Sequence, residues 1–371
     1  MEKHQVVIIG AGPAGASCAR ALHDADIEAL ILEKESLPRH KNCSGILFGE
    51  AQELLPKYFG TMPPEDVYSE PRTIHASQII EWKHEQGYVQ YPWEIPRDGH
   101  EFPQTYLNTW RSKFDHWLVQ QSGAPVRENC LFRGLTAEPE QVSIDVFLRG
   151  VEESASGGEG DANRTIRCDY LVGADGSASA VRKALAPQDW EAAPAVVYYQ
   201  EYCPCQDIGT LREGCWHVFF EKTVGKLLCC VNRKDGFLVP CVGGFRGENV
   251  RATMEAFKKF LQENFKVVLG PQERSEGCEI KMWPADPGRG RVLLAGDAGG
   301  FMYLNDASIH AAMDSGYRCG TAIARALREG GDGLQNYRES LDDILRHVQT
   351  CKEQMHFFVE EQVGDTHGPK R

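Results

Sequence analysis

Val6-Val7-Ile8-Ile9 runs directly into Gly10-Ala11-Gly12-Pro13-Ala14-Gly15, and the next apolar run, Ala29-Leu30-Ile31-Leu32, ends at Glu33. That order is strand, glycine turn, helix, second strand and acid, the layout of a dinucleotide-binding βαβ unit. Gly10 permits the tight turn, Gly12 keeps a Cβ out of the path of a pyrophosphate, and Gly15 lets the helix lie close on the strand. The helix that starts at Pro13 and Ala14 turns unpaired N–H groups and a partial positive charge towards phosphates. Glu33, followed by Lys34, would accept hydrogen bonds from adenosine ribose hydroxyls and repel a 2′-phosphate. FAD or NAD therefore fits better than NADP. A glycine turn without a ligand is the alternative, and the complete strand–turn–helix–strand–acid context weighs against it.

The chain of 371 residues is long enough for two lobes. Its formal charge of −13 argues against a nucleic-acid partner and gives no attraction to anionic lipid. No apolar run approaches the roughly 20 residues of a membrane span. The first strand begins within a few residues of Met1, so no signal peptide and a cytoplasmic location are expected. The 13 cysteines are then reduced thiols, and their odd number and irregular spacing fit no disulfide framework. Cys203-Pro204-Cys205 and Cys229-Cys230 are too close for ordinary zinc or iron–sulfur spacing, so no metal is expected.

Along the chain, residues 152–163 (EESASGGEGDAN) separate an alternating run, Val142, Ile144, Val146 and Leu148, from the strand-like 166–172. They read as a long hairpin loop. Residues 106–121 carry Trp110, Phe114, Trp117 and Leu118 at helical spacing and read as a helix. Runs at 196–202, 215–221, 226–231 and 236–242 suggest a mostly antiparallel sheet, followed by a helix at 250–265. The last stretch places Leu341, Ile344, Leu345, Val348, Cys351, Met355 and Phe358 on one stripe, more often a face docked on the protein's own core than a partner surface. The expected fold is α/β: a discontinuous Rossmann-like domain (1–65, 100–190 and 280–330) and an inserted, mostly antiparallel sheet domain for substrate (66–99 and 191–279). Two C-terminal helices (331–371) complete it.

Two further strand ends repeat the nucleotide theme. Asp169-Tyr170-Leu171-Val172-Gly173-Ala174-Asp175-Gly176-Ser177 precedes Ala180-Val181-Arg182, and Arg291-Val292-Leu293-Leu294-Ala295-Gly296-Asp297-Ala298-Gly299-Gly300 precedes a helix. Each acid could hold a ribityl or ribose hydroxyl. Either alone could equally be a turn with an Asx cap.

Taken together, these motifs resemble those of FAD-dependent oxidoreductases of the glutathione-reductase type, in the arm of aromatic hydroxylases and geranylgeranyl reductases. The resemblance spans roughly residues 5 to 325. It implies that Gly10, Gly12, Pro13, Ala14, Gly15, Glu33, Lys34, Asp175, Gly176, Gly296, Asp297 and Gly300 hold FAD. It also matches Arg111, in Trp110-Arg111-Ser112-Lys113-Phe114-Asp115, to a helix arginine near the cofactor; otherwise it is a surface arginine. Arg39-His40-Lys41-Asn42-Cys43-Ser44-Gly45 looks like the K-x-C-[GS]-G segment of geranylgeranyl-reductase-like flavoproteins. The likeness places Lys41, Cys43, Ser44 and Gly45 beside the isoalloxazine ring. Cys43 is there either a reactive thiol, with a pKa lowered by Lys41, or a small packing residue.

The chain departs from the reductases after Gly296-Asp297. Tyr303-Leu304-Asn305-Asp306-Ala307-Ser308-Ile309-His310 stands where they carry a Thr-Gly-Glu-Gly-Ile stretch. Their Tyr-x-Trp-x-Phe-Pro segment and the halogenases' Trp-x-Trp-x-Ile-Pro are not recognisable, which weighs against prenyl reduction and halogenation. Asn305 or Asp306, His310 and Cys43 are the polar candidates for catalysis, although a histidine such as His310 more often proves a satisfied helix residue. Tyr202, Trp216, His217 and Phe219 would face the ring, or form ordinary sheet core.

The leading expectation is an FAD-dependent oxidoreductase, geranylgeranyl-reductase-like, reducing a C=C bond of an apolar or aromatic small molecule. A second is a monooxygenase hydroxylating an aromatic group, including a tryptophan side chain of a partner protein. A third is a non-catalytic flavoprotein electron carrier. No second glycine-rich dinucleotide unit is present, so NAD(P)H docking transiently and a redox protein both remain as electron donor.

Overall fold

The computed structural model describes residues 2–82, 88–89, 96–152, 159–282, 284–303 and 308–363. The N-terminal unit forms as its pattern dictates: strand Glu2–Ile9 (β1), helix Pro13–Asp24 (α1) and strand Ala29–Leu32 (β2). Helix Gly49–Phe59 (α2) and strand Tyr68–Ile80 (β3) follow. Beyond the 106–121 region come strand Glu159–Gly173 (β4) and a second group of strands, Ala195–Asp207 (β5), Cys215–Phe220 (β6), Cys229–Lys234 (β7) and Phe237–Phe245 (β8). Helix Val250–Phe265 (α3), strand Arg274–Lys281 (β9) and strand Val292–Leu294 (β10) lead to helices Ile309–Glu329 (α4) and Asp342–Val363 (α5).

β1 pairs in parallel with β2 on one side and β4 on the other, and β4 pairs in parallel with β10. Ile9 lies opposite Gly173, and Gly173 opposite Leu294. The register therefore sets the three glycine turns side by side at the carboxyl edge of one sheet, the place where open α/β sheets bind ligands. The sheet domain is inserted between β4 and β10, so the Rossmann-like unit is discontinuous, as the sequence implied.

The second sheet is mostly antiparallel: β5 with β8 and β9, β6 with β7, β7 with β8. The exception is β6, which runs parallel to β3, with Cys215 opposite His75. Strand alternation splits this sheet into two faces. Phe219, Val231, Leu238 and Val242 pack under Phe257, Leu261 and Phe265 of α3. The opposite face, which includes Trp216, Cys230 and Cys241, looks towards the glycine turns across a cavity.

The 106–121 region differs from its expected single helix. Tyr106–Thr109 is a strand and the helix is Arg111–Gln121. Thr109 donates its N–H to the Gly45 carbonyl at 2.9 Å, and Asn108 lies opposite Ile46, so strand pairing claims the first four residues. Val142–Glu152 runs antiparallel to β4 as a hairpin, but residues 159–163, expected as loop, already pair as strand, Glu159 opposite Glu152, and 153–158 lie outside the described residues. On the C-terminal stripe, Leu341, Ile344, Val348 and Cys351 are buried in the main core. The side chains of Met355 and Phe358 lie outside the described residues.

Candidate functional site

Gly10 and Gly15 are explained by the protein alone. Gly10 has φ +107°, and a Cβ there would lie 2.5 Å from the Ala174 carbonyl oxygen; at Gly15 it would lie 2.0 Å from that of Gly10. Gly12 is different, because a Cβ would meet only Arg39 Nη2, at 3.7 Å. Gly12 occupies the N-cap of α1 with no side-chain cap. The start of α1 is thus an uncovered cradle opening on a cavity of about 540 Å³, within the range of small-molecule sites. This is the fit expected for a pyrophosphate at a helix N-terminus.

Gly10, Gly12, Pro13, Ala14, Glu33, Lys34, Lys41, Cys43, Ser44, Arg111, Asp175, Gly176 and Asp297, drawn from separated segments, all line this one cavity. Gly15, Gly45, Gly296 and Gly300 do not. Gly45 supports the wall from behind, its carbonyl accepting from Thr109 Oγ1 at 2.7 Å. Gly296 is held by its N–H donating to Ser315 Oγ at 2.9 Å, and Gly300 closes the turn with φ +72°.

Glu33 is 3% exposed, and its Oε2 accepts from the Ala11 N–H at 3.0 Å and pairs with Arg39 Nε at 3.1 Å. Arg39 also reaches Asp115 Oδ2 at 3.1 Å, and Arg111 grips Asp115 through Nε and Nη2 at 2.9 and 3.0 Å. One buried carboxylate therefore holds two arginines at the cavity wall, and Arg111 is no surface residue. Arg39 is a site residue the sequence reading passed over. It stood inside a quoted segment, but nothing in local spacing separated it from its basic neighbours.

The two aspartates behave differently. Asp175 uses its carboxylate as a cap, accepting from Ser179 Oγ at 2.5 Å and from the N–H groups of Ala180 and Val181 at 2.7 and 3.2 Å. The Asx alternative is thus realised at this acid. Burial raises the Asp297 pKa against the attraction of Lys41 and Arg111, so a basic pair faces this acid in the cavity. Such an acid can accept from a hydroxyl.

Among the catalytic candidates, Cys43 lines the cavity, and its sulfur accepts the Gly45 N–H at 3.4 Å. His310 does not line it. It lies 2% exposed behind the wall, its Nε2 3.8 Å from Glu50 Oε2 and its ring 4.8 Å from that of Tyr303. Burial, with His347 and Arg97 repelling added charge, holds it neutral with a pKa of about 3. Asn305 and Asp306 lie outside the described residues. Of the aromatic candidates Trp216 lines the cavity. His217 instead accepts the Arg212 N–H at 3.2 Å, and Phe219 packs under α3, because alternate residues of a strand face opposite ways. Tyr202 is capped by Arg274, 3.8 Å above its ring, and stacks on Trp110.

Residues 3–344 match the model of the FAD-binding domain family. An uncharacterised protein of Methanosarcina barkeri is 25% identical over 343 residues, 89% of this chain and 77% of that protein. Among solved structures, a geranylgeranyl bacteriochlorophyll reductase-like protein of Thermoplasma acidophilum has TM-score 0.72 at 15% identity, covering 99% of this chain and 92% of the other. Aklavinone-11 hydroxylase with FAD and aklavinone has TM-score 0.71 at 16% identity, covering 99% and 70%. These two likenesses show the fold. The family match, together with the cradle at Gly12, identifies the chain as a member of the FAD-binding domain family and an FAD-dependent oxidoreductase.

Proposed function

We propose that this oxidoreductase acts on an apolar or aromatic small molecule, reducing a C=C bond in the manner of geranylgeranyl reductases. The observation that carries the reading is the inner face of the second sheet. Trp216, Leu228, Cys230 and Val239 form a largely apolar wall opposite the glycine turns. In this reading residues 1–65, 100–190 and 280–330 hold the cofactor, and 66–99 with 191–279 shape the substrate side.

FAD, when bound, supplies hydride chemistry or oxygen activation. The chain's residues supply placement. Glu33 and Arg39 would orient the ribose end, the N-terminus of α1 would take the pyrophosphate, Arg111 and Lys41 would add positive charge, and Asp297 would accept from a hydroxyl. Trp216 and its apolar neighbours would exclude water from the reacting atoms, and Cys43 would offer a thiol in the same cavity.

Hydroxylation of an aromatic group, a partner protein's tryptophan included, is the second reading. It is supported by the comparable likeness to aklavinone-11 hydroxylase and by the changed stretch at 303–310. The test is to reduce the FAD-loaded protein with dithionite and add geranylgeranyl diphosphate without oxygen. Reoxidation with loss of a C=C bond supports the reductase. No anaerobic turnover, with oxygen-dependent hydroxylation of indole, supports the hydroxylase.

A further inference from the structure

Lys234 ends β7 as a 2% exposed ammonium in the cavity wall. Nζ donates to Asn108 Oδ1 at 2.9 Å and to the Thr109 carbonyl at 2.6 Å. Both partners are neutral. No carboxylate forms an ion pair with it among the described residues; the Trp110 ring lies beside it, its centroid 5.4 Å from Nζ, and no third hydrogen-bond acceptor meets Nζ among those residues. Asp235, the adjacent acid, is engaged elsewhere, accepting from the Glu70 N–H and from Trp110 Nε1, each at 2.8 Å. The ammonium abuts the Cys43–Gly45 segment, since a Cβ on Gly45 would lie 3.1 Å from Nζ.

A buried ammonium with no carboxylate paired to it is expensive, and an apolar side chain of the same length would avoid the cost. Burial pushes its pKa down to about 7, with Arg111 pulling the same way and Cys43 and Asp235 opposing. A ligand atom that accepts the third N–H would both complete the hydrogen bonds and hold the charge.

We propose that Lys234 is the charge-complementing donor of this cavity: its third N–H meets an electron-rich oxygen or nitrogen, on the cofactor's ring or on the polar end of the substrate. Lys234 keeps its proton and breaks no bond; it is a positioning residue that favours whichever ligand state carries more negative charge. The inference rests on the FAD-oxidoreductase reading above.

The test compares FAD-loaded wild type with Lys234→Met, which removes the charge, and Lys234→Arg, which keeps it. Lys234→Gln replaces Met should that variant fail to fold. FAD content and melting temperature are recorded first, then the two-electron midpoint potential and the binding of benzoate, read from the flavin spectrum. If the acceptor is on the cofactor, removing the charge weakens the reduced form about tenfold relative to the oxidised, a fall of ~30 mV, and Lys234→Arg restores it. If the acceptor is on the substrate, the potential holds, benzoate binding weakens about tenfold, and Lys234→Arg restores that. A folded, FAD-loaded charge-free variant with both values unchanged overturns the proposal. Wild type that takes up no FAD would instead sink the underlying reading.

Discussion

Arg182 Nη1 donates a 3.0 Å hydrogen bond to the Ala298 carbonyl, tying the helix after the Asp175 turn to the turn that carries Asp297. Its Nη2 meets the Pro284 carbonyl at 2.8 Å. Two motifs more than a hundred residues apart are thus locked by one buried guanidinium. Arg182→Met would leave both carbonyls without this donor, at about 1–3 kcal/mol each. Urea unfolding is expected to show a loss of about 3 kcal/mol, with FAD affinity falling alongside.

Gly12 and Gly15 separate binding from folding. Gly15→Ala forces a Cβ to 2.0 Å from a backbone oxygen, and should destabilise the protein by about 3 kcal/mol. Gly12→Ala meets no protein atom closer than 3.7 Å. The cofactor-free protein should melt unchanged, while FAD affinity drops at least tenfold, about 1.4 kcal/mol. Thermal melts and flavin fluorescence titrations of both variants check this.

Arg39→Ala removes the cation between Glu33 and Asp115. Asp115 retains Arg111, and Glu33 retains the Ala11 N–H, so the fold should hold. FAD affinity is expected to fall about tenfold to a hundredfold, measured by titration at two salt concentrations.

Acid should destabilise the fold through histidines buried neutral. His310 titrates at about 3, and His217 and His347 at about 4, chiefly because burial penalises the charged ring. Their unfolded values lie near 6.5. Between about pH 6.5 and 4 the unfolded chain binds protons that the native state refuses, so stability falls as pH falls through that window. Each such histidine contributes a slope of about 1.4 kcal/mol per pH unit. His310→Leu should flatten the slope by about that amount, seen in denaturant curves at pH 4.5, 5.5 and 7.

The turns that line the cavity were legible in sequence because their signals are local. Turn glycines, the acid after β2 and the strand-ending aspartates each sit within a few residues of the element they terminate. Partners contributed by distant segments were not legible. His310 faces Glu50 of α2, a contact that no spacing on α4 announces. Arg39 and Lys234 acquire their roles from Asp115 and Asn108, which lie 76 and 126 residues away. The strand at Tyr106–Thr109 was missed for the same reason, since its pairing partner at Ile46 is remote in sequence. Alternation was the neglected local clue: it would have set Trp216 apart from His217 and Phe219.

That alternation along the second sheet leaves the protein unusually divisible to evolution. Cys230 can be exchanged to suit a new ligand without disturbing what Cys229 and Val231 do for the scaffold, whereas Asn232 and Lys234 are tied to Asn108. A mutational walk from Cys229 to Val231 should therefore switch, codon by codon, between impaired folding and altered selectivity.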